Sequence, residues 1–207
     1  MTIPIKIISK EEFERKNKKP NQEQVWDDIA NSWSEYRAKE IPIVAEFLKG
    51  KKGKIIDLGC GTGRNMIKND NIEYYGVDFS GNMIKKAEEY IKKEKINAKL
   101  FKSNVDKLDK EVFENEMFDY GLFIASLHCL ETSKERENTL KEFYRVLKPG
   151  AEALISVWSS EDFRFKDKGK DIYMSWRKEG KHIMRYYHLY DKQEILNSLE
   201  SVGFKLL

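Results

Sequence analysis

The chain has 207 residues, with 38 Lys plus Arg against 35 Asp plus Glu and a formal net charge of +3. At about 100–200 residues per domain it is expected to form one domain, and burial of about 70% of its unfolded surface makes a metal or disulfide staple unnecessary. Twelve Gly, four Pro and 12% aromatics exclude collagen-like, low-complexity and disordered classes, and no apolar run nears the roughly 18 residues of a membrane span.

Two isolated cysteines, Cys60 and Cys129, form no disulfide framework, and with three His they show no metal-ligand spacing. No metal is therefore expected. No secretory signal is seen in the first 19 residues, so a cytoplasmic location is expected. The near-balanced charge does not announce a nucleic-acid binder, and such a role has to rest on local patches.

In chain order, residues 1–21 are Lys/Glu-rich and read as a flexible or edge arm; the domain proper is expected over 22–207. Trp26, Ile29, Ala30, Trp33 and Arg37 share one helix face that is apolar except for Arg37, whose guanidinium is expected to point toward a cleft. A short helix around Ile43–Leu48 follows. Strands are then expected at 54–58, 73–77, 99–102, 118–125 and 151–158. Between them lie a short helix after a Gly-rich turn at 59–63 and longer helices at 83–93 and 134–147, the last stopped by Lys148-Pro149-Gly150. Alternating strands and helices define a doubly wound, mostly parallel α/β sheet. Residues 159–184 break the rhythm as a polar, basic insertion, and a helix at 193–202 precedes a strand expected from Phe204. There is no room after Leu207 for a further antiparallel strand, so the sheet is expected to lack its last one, through truncation.

The turn Asp57-Leu58-Gly59-Cys60-Gly61-Thr62-Gly63 carries the chemistry. Alternate glycines let backbone approach a ligand without a Cβ in the way. The spacing differs from the G-x-G-x-x-G of dinucleotide binders, no Walker lysine follows, and Asp57 would repel phosphate. A cationic, phosphate-free ligand fits. Asp78, at the end of the second strand, is placed to accept hydrogen bonds from ribose hydroxyls.

These residues resemble the class I S-adenosylmethionine-dependent methyltransferases over about residues 24–207. Residues 56–63 match that superfamily's first motif, Asp78 its ribose acid, and Leu147-Lys148-Pro149-Gly150 its turn before the fifth strand. The resemblance implies a Rossmann-like fold and S-adenosylmethionine as cofactor. It assigns cofactor contacts to Trp33, Asp57, Gly59, Cys60, Gly61, Gly63, Asp78, Phe79, Asn104, Val105 and Ala125. Asn104 stands where relatives carry an adenine-binding Asp, and Asp106 is an alternative for that contact.

Three further stretches resemble the tRNA wobble-uridine carboxymethyl methyltransferases: Trp26-Asp27-Asp28-Ile29-Ala30 running on to Arg37 and Pro42, Ile124-Ala125-Ser126-Leu127-His128, and Arg185-Tyr186-Tyr187-His188-Leu189-Tyr190. Cys129 and Leu130 depart from the family's usual His and Trp. The resemblance implies formation of the methyl ester of 5-carboxymethyluridine in the tRNA anticodon. A carboxylate is already ionised at neutral pH and needs no general base; it needs placement, which arginines provide. Arg37, Arg185, Tyr186 and His128 are the expected acceptor-side residues, His128 either positioning uridine or acting as a base. The resemblance also implies a small zinc-binding activator protein at the free sheet edge near residues 99–102. The rival is a methyltransferase of small molecules such as quinones, lipids or metabolites; a basic rather than apolar 159–184 disfavours it.

Overall fold

The computed structural model describes residues 5–36 and 39–207. Five parallel strands form its centre: β2 (Gly53–Leu58), β3 (Ile72–Asp78), β4 (Ala98–Lys102), β5 (Phe118–Ile124) and β6 (Leu147–Ser156), in the spatial order β4-β3-β2-β5-β6. Strand period two sends Ile55 and Ile56 to opposite faces, and each face has its own core. Ile56, Leu58, Phe123 and Phe118 pack with Leu140 and Phe143 of α5 (Ser133–Val146). Ile55, Tyr74 and Leu122 pack with Ile84 of α4 (Gly81–Glu94) and with Val44 and Leu48 of α3 (Pro42–Leu48). Strands buried on both faces explain the nearly unbroken apolar run of β5.

The helices start where their caps dictate. Ser80 Oγ accepts the Met83 N–H at the start of α4, and Thr132 with Glu135 forms a reciprocal capping box on α5. The first long helix, α2 (Gln22–Tyr36), is fastened to α4 by Asp27, whose carboxylate accepts from Ser80 Oγ and the Asn82 N–H. This sets Trp26 and Trp33 over the C-terminal ends of β2 and β3.

Residues 171–188 are not a loop. They form a hairpin, β7 (Asp171–Lys178) and β8 (Lys181–His188), turning at Glu179-Gly180. The arm contributes a third strand, β1 (Ile7–Ser9), antiparallel to β7, and a short helix, α1 (Lys10–Lys16). Ile172 to Ser175 and Arg185 to Tyr190 are all buried. The hydrophobic pattern of this hairpin is masked in sequence by the lysines at its ends, which is why it reads as a polar insertion.

Three local expectations are corrected. No helix follows the Gly-rich turn: residues 59–66 continue as tight turns, with Gly63 N–H to Cys60 O at 3.0 Å and Met66 N–H to Gly63 O at 2.9 Å. The Tyr74 hydroxyl pins the next stretch by bonding both Ile67 N–H and Ile67 O, leaving no length for a helix. Lys148-Pro149-Gly150 lies inside β6 as a register shift opposite Phe118 and Tyr120, a bulge that absorbs Pro149. No strand forms at 204–207. After α6 (Lys192–Glu200) the chain packs Phe204 against Phe143 and Tyr144 instead.

Candidate active site: a cofactor cleft beside a buried arginine

The cleft lies at the C-terminal ends of β2, β3 and β5, where ligands sit in open α/β sheets. Its floor is the glycine turn. Gly59 has φ +64°, and a Cβ there would meet Ser126 Oγ at 1.8 Å; Gly61 has φ +55° and faces open space. Both positions require the left-handed backbone that glycine adopts freely. Gly63 is buried against Ala87 and does not face the cleft.

Asp78 ends β3 with both carboxylate oxygens in use. Oδ1 accepts the Ser80 N–H and Oδ2 the Gly61 N–H, each at 2.9 Å. Burial nonetheless raises its pKa to about 6. Asp57 is 1% exposed, and its Oδ2 has no hydrogen-bond partner. Burial first, and the Asp78 charge second, push its pKa to about 8. A buried, unpartnered carboxylate beside a second one is a place for positive charge. Both findings fit S-adenosylmethionine, which carries a sulfonium, an ammonium and a ribose but no phosphate.

Of the expected cofactor residues, the structure brings Trp33, Gly59, Cys60, Gly61, Asp78, Phe79 and Ala125 to the cleft wall, with Asp57 beneath it. Asn104 is instead exposed, and Val105 is packed in the core with Leu108 and Phe113. Sequence reasoning missed Trp26, Arg64, Asn65, Met83, Ser126 and Cys129, all of which line the cleft. Trp26 could have been found, since it stands seven residues before Trp33 on the same helix face.

The acceptor side departs further from expectation. Arg37 lies outside the described residues. Tyr186 points away from the cleft: its hydroxyl donates to Asp171 and its ring meets Tyr173. Strand alternation puts Tyr186 and His188 on one face of β8 and Arg185 and Tyr187 on the other. His188 is held by Asp171 at 2.9 Å and Glu194 at 2.7 Å, so that face is structural. His128 is fully buried in a single 3-10 turn (Leu127–Cys129) and stacks on Trp158. Its Nδ1 accepts the Trp158 N–H at 3.2 Å, which places the ring proton on Nε2. Burial lowers its pKa to about 3, so it is a poor general base and does not line the cleft.

Arg185 is where the sequence pointed, in surroundings it did not reveal. It is 3% exposed, and no carboxylate among the described residues is within ion-pair distance. Four rings surround the guanidinium carbon: Trp176 at 5.1 Å, Trp33 and Tyr187 at 5.3 Å and Trp26 at 5.7 Å to their centroids. Its Nε–H is buried without an acceptor, as is the Nε1–H of Trp26. Trp26 and Trp33 form cleft wall on one side and flank Arg185 on the other. Among the described residues no group of three or more His, Cys, Asp or Glu is arranged to hold a metal, and no helix is long and apolar enough to cross a membrane.

Residues 49–203 match the model of the methyltransferase domain family, and the chain belongs to that family. With its fold and its cleft, it is a class I S-adenosylmethionine-dependent methyltransferase. Within the class it is similar to the tRNA (carboxymethyluridine(34)-5-O)-methyltransferase of Schizosaccharomyces pombe, 28% identical over 89% of this chain and 88% of that one. The Arabidopsis thaliana enzyme of the same name is 32% identical over 67% of this chain, which spans only 32% of its length. Among solved structures, PH0226 from Pyrococcus horikoshii OT3 superposes with a TM-score of 0.64 at 25% identity, covering 86% of each chain. A chain in the complex of the Haloferax volcanii Trm112 methyltransferase activator with a methyltransferase has a TM-score of 0.61 at 17% identity, covering 86% of this chain and 75% of that one, a likeness of fold.

Proposed function

We propose that this enzyme methylates a carboxylate, that of 5-carboxymethyluridine at the wobble position of tRNA, to its methyl ester. The observation that carries this reading is Arg185, a buried guanidinium with no acidic partner, directly behind the wall of the cofactor cleft. A buried charge left unpaired is costly, and aromatic faces offset only part of that cost. A substrate carboxylate supplies the missing partner, and the S. pombe and A. thaliana relatives are named for a carboxymethyluridine reaction.

When bound, S-adenosylmethionine supplies a methyl group activated by a sulfonium that leaves as a neutral thioether. Gly59 and Gly61 would let the backbone approach it, Asp78 would accept from ribose hydroxyls, and the buried Asp57 carboxyl would lie below, its ionised form favoured by the bound cation. Arg185 orients the acceptor carboxylate, which gives up no proton because it has none to give. No general base is needed, consistent with a His128 that is neutral and walled off. Placement is the main catalytic effect.

The hairpin carries the RNA. Arg177 and Lys181 are exposed along it and Lys166 just before it, whereas Lys170, also before it, is committed to Asp191 and Glu194, and Lys178 to the Asp28 carbonyl. The first three are the phosphate contacts on this reading. β4 has β3 on one side only and offers its other edge to an activator protein by strand addition. A tRNA substrate places the enzyme in the cytoplasm. The test uses labelled S-adenosylmethionine and tRNA from cells lacking this protein, with and without the candidate activator. A base-labile methyl ester on a wobble uridine is the expected product; label in a metabolite extract and none on RNA would transfer the enzyme to the small-molecule class.

A further inference from the structure

The indole N–H of the tryptophan nearest the start of α2 has no role in what has been described so far. Trp26 lines the cleft, its indole Nε1–H is buried with no acceptor, and its ring lies 5.7 Å from the Arg185 guanidinium. Arg185 Nε–H, also buried, has none either. Buried polar groups are nearly always paired, so two neighbouring orphans of the same kind call for one explanation. Both are donors, and neither an indole N–H nor a guanidinium can accept. Cys129, on the same wall, is close enough for the Arg185 charge to act on its thiol.

We infer that Trp26 is a specificity-determining residue, its indole N–H completing with Arg185 a donor-only subsite that accepts a carboxylate and rejects the corresponding amide. The inference rests on the carboxylate-methylating reading and deepens it. A carboxylate offers acceptors to both N–H groups. A carbamoyl group of the same shape brings its own two N–H donors, which leaves at least one buried donor facing another. A site built to hydrogen-bond one group discriminates strongly against an analogue that leaves its polar groups unpaired.

Carboxylate chemistry has two sources here, the uridine substituent and the amino-acid end of the cofactor, and the experiment separates them. The full chain, saturated with S-adenosylhomocysteine, is titrated with 5-carboxymethyluridine and with 5-carbamoylmethyluridine nucleosides. The indole N–H resonances of the four tryptophans are followed by NMR. The Trp26 resonance is expected to shift with the carboxymethyl nucleoside and to stay with the carbamoylmethyl one. Wild type should prefer the carboxylate at least tenfold, and Trp26→Phe, which keeps an aromatic ring and deletes the donor, should narrow that preference to under threefold. A Trp26 resonance that moves on adding S-adenosylhomocysteine and ignores the nucleoside assigns the donor to the cofactor and overturns the inference, as does an unchanged preference in Trp26→Phe. Wild type that esterifies no tRNA overturns the functional reading itself, a separate outcome. The NMR arm uses the wild type, so it stands even where the variant does not fold.

Discussion

The cleft has two walls made in different ways. The cofactor wall belongs to the parallel sheet: backbone amides, glycines and the carboxylates Asp57 and Asp78, all within or just past β2 and β3. The other wall is built by the α2 side chains Trp26 and Trp33, and behind it Trp176 and Tyr187 of the antiparallel sheet complete the ring of aromatics around Arg185. One wall carries two buried carboxyl groups and the other stands in front of a guanidinium. On the proposed reading, the methyl would pass from a sulfonium beside the acids, which departs as a neutral thioether, to a carboxylate held by the arginine. Each wall carries a buried polar atom without a partner, Asp57 Oδ2 on one side and Arg185 Nε on the other, and each is a cost in stability.

The strongest way to break this picture is Arg185→Met. Replacing a buried unpaired charge by an apolar chain of similar length should hold or raise the melting temperature. Methyl transfer to tRNA should fall about a thousandfold, since losing one partner of a buried charge pair costs about 2–5 kcal/mol. Calorimetry and a tritium-transfer assay on the same sample check both halves; a joint fall would make Arg185 merely structural. On the other wall, Asp78→Ala should weaken S-adenosylmethionine binding about tenfold to a hundredfold, from hydrogen bonds to a charged group worth about 1.5–3 kcal/mol. RNA binding should be unaffected, and isothermal calorimetry with each ligand separates the two.

Gly59→Ala sharpens the comparison through backbone. Its Cβ would overlap Ser126 Oγ at a φ of +64°, whereas Gly150, at +78°, meets nothing within 4 Å. Chemical denaturation should show Gly59→Ala costing several-fold more stability than Gly150→Ala, whose strain alone is about 1 kcal/mol.

The smallest effect is one of pH. Asp57 has a folded pKa raised from 3.8 to about 8, so the folded state binds the extra proton, and stability from this group is lost as pH rises through 8. His128 is lowered from 6.5 to about 3, so its contribution is fully present above 6.5 and lost as pH falls below it. Asp78, raised to about 6, acts below that value. Between pH 6.5 and 8 Asp57 therefore acts alone among these three, and urea midpoints should fall across that window. Asp57→Asn should flatten the fall, and saturating S-adenosylmethionine should reduce it by placing a cation beside the ionised carboxylate.

Much of this protein was legible in its residues. The five parallel strands follow from short β-branched and aromatic runs, the turn at 59–63 from its alternate glycines, and Asp57 and Asp78 from their places at strand ends. These are local signals, and local chemistry fixes them. Tertiary structure decided the rest. Arg185 was readable as a candidate, but its ring of four aromatics comes from two elements that meet only on folding, β7–β8 and α2. Tyr186 and Tyr187 are adjacent and equivalent in sequence, and only the register Met174↔Arg185 decides which of them packs beside the Arg185 guanidinium. His128 looked like a base until Trp158, thirty residues away, took its Nδ1 and the core took its solvent. Sequence determines which groups are available; packing decides which are left without a partner.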